Sequence, residues 1–290
     1  MGVVNAVMTT WARLRAASGR TAQQRKTSHH ADLDLLSGRP PRGYDNEWVD
    51  NAKRRGVPPD VVADIATRFG VTPQSFDVLN SAVKITDPDG KSFFLLPRGS
   101  RGSETKKAVL MTYVLNAGTG YGEGTPHDFP PTSYGGDEVA RIINRQNANS
   151  WSYDADAAFV NKHGGRLVAT PNGMLMGLGG DWLVKRFSLR GGTTWGDIFM
   201  VNLDSSADPA TMLRAVVESG RTWGIVDGEP RRRSLHLDRV LHHEERHSQQ
   251  WARLGYWRFI CAYLASKPAE WITRVNFFER DAGLSDGGYA

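Results

Sequence analysis

The sequence predicts an α+β fold, with a mostly helical N-terminal region followed by a domain that mixes short strands with helices. Three observations carry this reading. Residues 57–79 are dense in helix start and stop signals. Short β-rich runs bounded by Gly and Pro lie between 166 and 202, and residues 238–254 have the apolar period of a long amphipathic helix. The chain has 290 residues, 40% of them hydrophobic, which suffices for one large core or two smaller ones. The Gly/Ser/Arg stretch at 98–103 is the best boundary, dividing residues 1–100 from 101–290.

The first 26 residues hold Arg13, Arg15, Arg20, Arg25 and Lys26 and no acidic side chain, so they account for the whole net charge of +5. The rest of the chain is balanced, which argues against specific nucleic-acid binding. Within the tail Val3, Val4, Val7, Met8, Trp11 and Leu14 recur at helical spacing. A basic amphipathic helix of this kind suits an anionic membrane surface or a docking partner; packing on its own domain is the alternative. Arg supplies 27 of the 36 basic residues, a bias that fits a GC-rich bacterial or phage genome.

From Val57 to Phe69 the chain reads as a short helix stopped by Gly70, and Thr72-Pro73 caps and opens another. The apolar run from Phe93 to Leu96 then reads as a strand. A plain helical hairpin is the first reading. The pattern at 57–97 also resembles a LysM module, a βααβ unit that implies glycan binding, although Pro59 stands where those modules carry Gly. A helix-turn-helix is the third reading, and its second helix offers Gln74, Ser75 and Asp77 without a cation for phosphate.

The Gly-rich run at 116–126 lacks the Gly-Lys-Ser/Thr ending of a phosphate loop and reads as an ordinary loop. Helical patterns follow at Asp137–Ala148 and Asp154–Lys162, then strands at Arg166–Thr170 and Met174–Leu178. The segments 149–154 and 170–173, rich in polar and aromatic groups, are candidates to line a cleft. Residues 191–202 read as one Gly-bounded strand. Asp208-Pro209 opens a helix that Gly220 ends.

The most informative stretch is His243-Glu244-Glu245-Arg246-His247. Two histidines at i and i+4 share one helix face, so both imidazoles can grip one metal ion, while Glu244 stands beside them within reach of a water. Asp238 as N-cap and Gly255 as stop bound the helix, and both histidines fall on the apolar stripe with Val240, Trp251 and Leu254. Core histidines without a metal are the alternative.

This motif resembles that of the zincin metallopeptidases, specifically their gluzincin branch, whose third ligand is a glutamate on a later helix. It is also similar to small bacterial zincin-like domains in which Gln follows the motif, as in Ser248-Gln249-Gln250, and which end near an N-x-x-E-x-x-A segment. Asn276, Glu279 and Ala282 match that segment. The resemblance covers roughly residues 190–290. It implies His243, His247 and Glu279 as ligands of Zn²⁺ and Glu244 as general base for hydrolysis of a peptide or protein substrate, with strand 191–202 as the edge that aligns it. Glu270 competes as third ligand, and Asp281 is weaker. Tyr256, Tyr263, His242 and Tyr289 are open candidates for the oxyanion donor.

Glu245 and Arg246 depart from the family pattern, where small or apolar residues stand, because burying them requires partners. A degenerate domain with a structural metal, within a secreted effector or a phage or cell-surface assembly, is therefore the rival reading. Cys261 reads as a buried structural thiol in an apolar run. No apolar stretch reaches the roughly 18 residues a membrane span needs, and no ordinary signal peptide is evident. A cytoplasmic protein, or one exported by a non-classical route, is the expectation.

Overall fold

The computed structural model describes residues 43–118, 128, 133–179, 192–201, 203, 208–262 and 277–288. The basic tail, Glu270, Tyr263, Asn276 and Tyr289 lie outside the described residues, as does most of the Gly-rich run.

Helices α1 (Tyr44–Arg54) and α2 (Pro59–Arg68) and a 3-10 segment (Pro73–Leu79) lead into the hairpin β1 (Val83–Thr86) and β2 (Ser92–Leu95). Then come α3 (Gly102–Leu115), α4 (Gly136–Ala148), a π-helical turn (Ser152–Asp156) and α5 (Ala157–Lys162). Strands β3 (Arg166–Ala169), β4 (Leu175–Leu178), β5 (Gly192–Trp195) and β6 (Ile198–Val201) follow. The chain continues with α6 (Pro209–Ser219), the hairpin β7 (Arg221–Val226) and β8 (Glu229–His236), α7 (Leu237–Leu254), helical residues 256–262 and α8 (Phe277–Ala282). The fold is mixed α and β. The LysM order βααβ is not found, since α1 precedes the two helical segments and a hairpin follows them.

Strands β1 to β6 form one sheet in the order β1-β2-β3-β4-β6-β5, with β4 and β6 parallel and the other pairs antiparallel. Alternate side chains enter opposite layers, as the two-residue period of a strand requires. Phe94, Leu167, Ala169, Leu175, Ile198 and Met200 face helices α1 to α5. Phe93, Leu95, Val168, Met176, Leu178, Phe199 and Val201 face α6 and the first turns of α7. Burial on both sides explains why these strands read as apolar runs. Residues on both sides of 98–103 share this sheet and the first of these cores, because β2 pairs with β3.

The stretch at 191–202 is a hairpin rather than one strand. Gly196, with φ of 55°, and Asp197 form its two-residue turn, and Trp195 pairs with Ile198. A glycine in the left-handed region at the first turn position is what such a tight connection demands. β5 is the last strand of the sheet. Helix α6 follows expectation: the Asp208 carboxylate accepts from the amides of Ala210 and Thr211 at 3.0 and 3.1 Å, and Gly220 ends the helix at φ 60°.

Helix α7 begins at Leu237, with His236 at its N-cap. Asp238 lies one residue inside, where it forms a buried ion pair with Lys91 at 2.9 Å. The cap expectation fails because the carboxylate is drawn to a cation across the core. Cys261 is exposed; within residues 256–262 it is Phe259 that turns inward, onto Trp251 and Phe278. No described helix is long and apolar enough to cross a membrane.

Candidate metal centre

Helix α7 presents His243 and His247 on one face, and α8 brings Glu279 against them. The two Nε2 atoms are 3.1 Å apart, and Glu279 Oε2 lies 3.3 Å from that of His243 and 3.2 Å from that of His247. Ligand bonds of roughly 2.0–2.1 Å in a tetrahedron put donor atoms about 3.3–3.4 Å apart. The three atoms are therefore close enough together to share one metal ion. Two imidazoles and a carboxylate are donors that could hold a divalent metal ion such as zinc.

The opposite ring nitrogens are committed, so Nε2 is the atom that a neutral ring would offer to a metal. Nδ1 of His243 donates to the carbonyls of Gly283 and Ala282, at 2.8 and 3.2 Å. Nδ1 of His247 donates to Gln250 Oε1 at 2.9 Å, and Gln250 Nε2 in turn donates to the Phe278 carbonyl and to Asp281. Asp281, a weaker ligand candidate in the sequence, thus supports the centre from outside. Such outer partners fix tautomer and ring orientation.

Aromatic packing explains how α8 reaches the site. Trp251 stacks on Phe259 with centroids 4.0 Å apart, and Phe259 meets Phe278 at 5.1 Å. Phe278 immediately precedes Glu279, so this stack places the carboxylate. Trp251 also donates its indole N–H to the Thr194 carbonyl at 3.0 Å, which ties β5 to the same helix.

Burial works to raise the Glu279 carboxyl pKa, but hydrogen bonds from the two histidines hold it well below the usual carboxylate range. For His247 burial works downward, and Glu279, Glu244 and Gln250 outweigh it, raising the pKa to about 9.

Glu244 is not a member of the triad. Its Oε2 accepts from Thr194 Oγ1 at 2.7 Å, and with His243 it lines a cavity of about 450 Å³ between α7, β5 and the β7–β8 hairpin. Thr194 carried no sequence signal beyond its place in a β-rich run.

The polar pair at the middle of the motif is resolved by partners. Glu245 is buried between Arg141 and Arg145 of α4, and these cations override the upward push of burial to hold its carboxyl below the ordinary range. Arg145 reaches on to Asp197 at 3.3 Å, and Asp197 also accepts from Asn149 at 2.9 Å and Tyr153 at 2.8 Å. The segment 149–154 therefore serves this buried network more than a cleft. Residues 170–173 form a buried turn in which Asn172 donates to the Leu241 carbonyl at 2.7 Å.

Of the oxyanion candidates, Tyr256 packs edge-on against Trp151 and His242 lies 3.4 Å from Asp286. Tyr263 and Tyr289 are outside the described residues. Comparison with known proteins gives no match: no family model fits the chain, and neither a curated protein nor a solved structure is detectably similar.

Proposed function

We propose that this protein is a zinc-dependent hydrolase, a metallopeptidase of zincin-like type that cleaves a peptide bond. One observation carries the reading: a donor triad close enough together to share one metal ion adjoins a carboxylate that is not part of it and that faces a cavity. Zinc held by His243, His247 and Glu279 supplies Lewis acidity, polarising a carbonyl and acidifying water. Glu244 removes a proton from the attacking water and returns it to the leaving nitrogen as the C–N bond breaks. Thr194 occupies one carboxylate oxygen of Glu244 and leaves the other for that exchange. β5 ends the sheet beside the site, and Trp251 already takes the Thr194 carbonyl on its outer edge.

A second reading has its own support. The triad joins α7 to α8, so a metal there also staples the C-terminal segment, as a structural ion in a non-enzymatic protein does. Metal analysis of the purified protein beside Glu244→Gln separates the two. Full zinc occupancy in both, with peptide-library hydrolysis cut roughly 10²–10⁴-fold in the variant, supports the enzyme. Equal inertness of both with zinc bound supports the structural ion. Glu279→Ala should lower zinc occupancy; retention there with loss in Glu270→Ala reassigns the third ligand.

A further inference from the structure

The cavity beside Glu244 has a second wall, the β7–β8 hairpin, and that hairpin is irregular at the cavity. Arg221 pairs with His236 and Trp223 with Arg232. One residue of β7, Thr222, therefore stands opposite three of β8: Arg233, Ser234 and Leu235. The bulge is held from β7, because Arg221 Nη1 donates to the Ser234 carbonyl at 2.5 Å and Thr222 Oγ1 to that of Leu235 at 3.3 Å. Bulges re-aim side chains, and they recur beside active sites.

Here the re-aimed side chain is Arg233. Its guanidinium lies across β7 at Gly224, where a Cβ would come within 2.2 Å of Arg233 Nε and 2.4 Å of Nη2. Gly224 thus leaves a bare strand surface for a flat cation. Arg233 lines the cavity, is exposed, and has no hydrogen bond or ion pair with the described residues. The other arginine on the wall, Arg239, is committed to Asp286 at 2.9 Å and Ser285 at 2.7 Å. Glu244 is the acidic residue of the lining, and the catalytic reading already occupies it.

We infer that Arg233, seated by the β8 bulge over Gly224, binds a carboxylate of the substrate, so that the cavity selects acidic peptides. This rests on the metallopeptidase reading and adds the substrate's chemistry to it. Arg is suited to the task because its planar fork meets a carboxylate with two parallel N–H donors. The carboxylate is supplied either by an Asp or Glu side chain near the scissile bond or by a peptide C-terminus.

The test is binding and turnover with matched peptides. Zinc-loaded Glu244→Gln is titrated with fluorescent peptides that differ only as Glu or Gln at each position, each with a free or an amidated C-terminus. The expected result is tighter binding of the acidic member, by about 10- to 100-fold. Arg233→Ala on that background should abolish the preference, and Arg233→Glu should reverse it toward Lys peptides. Arg232→Ala, outside the cavity lining, should leave it intact. Preference that follows the free terminus identifies the C-terminal source; preference that survives amidation identifies the side chain. Equal binding of all the peptides, Glu or Gln and free or amidated, or a preference that Arg233→Ala leaves unchanged, overturns the inference. Wild-type turnover of the same peptides reports separately on the metallopeptidase reading. Hydrolysis without charge preference would sink the Arg233 role alone, and charge-selective binding without hydrolysis would sink the catalytic reading alone.

Discussion

Gln250 receives the Nδ1 proton of His247 at 2.9 Å, and its own amide nitrogen is anchored on Phe278 and Asp281. One side chain thus sets the tautomer of a candidate ligand on α7 and clamps the helix that carries Glu279. Gln250→Leu should weaken zinc binding by roughly 10- to 100-fold, the usual effect of losing an outer partner. Competition with a chromogenic chelator measures it. Unchanged affinity would mean that the histidine needs no such support.

The metal-free centre should take up zinc with release of a proton. With His247 raised from 6.5 to about 9, the imidazole is charged at pH 7, yet only the neutral ring can ligate. Uptake at pH 7 therefore releases about one proton, and affinity climbs with pH until about 9 before levelling. Calorimetry in buffers of different ionisation heat reads the proton directly. The same shift has a stability consequence without metal. The folded pKa exceeds the unfolded one, so the His247 contribution is complete below about pH 6.5 and is lost as pH rises through about 9. Apo melting temperature should decline across that window, and chelated protein that shows no decline would contradict the pairing.

Much of this centre was legible because its signals are local. The i, i+4 spacing put His243 and His247 on one face, and the Asn276-x-x-Glu279-x-x-Ala282 match named a carboxylate that α8 places beside them. What was not legible depends on distant chain. Nothing near Glu245 in sequence reveals that Arg141 and Arg145 neutralise it from α4. Thr194 acquires meaning only when β5 is laid along α7. The hairpin at 192–201 is a different case: Gly196-Asp197 is a two-residue turn signal, and the apolar residues on either side masked it. Cys261 misled because an apolar neighbourhood in sequence says nothing of which helix face is covered.

The buried charge network makes a strong stability prediction. Arg145 sits between Glu245 and Asp197 with all three side chains almost wholly buried. Arg145→Leu takes the cation from Asp197 and leaves Glu245 with Arg141, and breaking a buried pair from one side costs about 3–5 kcal/mol. Urea unfolding of the variant should show a loss of that order, with a slope unchanged from wild type. Glu245→Gln beside it should be milder, because the amide can still accept from Arg141. A loss below about 1 kcal/mol in Arg145→Leu would place these carboxylates among surface-like, solvated pairs.

Thr194 offers the sharpest test of how Glu244 works. Its hydroxyl donates to Glu244 Oε2 at 2.7 Å, while its carbonyl accepts from Trp251 at 3.0 Å. The side chain therefore orients the carboxylate, and the backbone separately holds β5 to α7. Thr194→Val deletes the first contact, keeps the second and preserves the shape of the residue. Zinc content and melting temperature should stay near wild type, whereas kcat/KM on the best peptide should fall by about 10- to 100-fold, as loss of a hydrogen bond to a charged group implies. Thr194→Ser restores the hydroxyl and should recover most of the activity. A structural role would leave Ser and Val alike, because both keep the backbone carbonyl. Recovery in Ser alone assigns the effect to the oxygen that faces Glu244; equal activity in Val, Ser and wild type would show that Glu244 finds its position unaided.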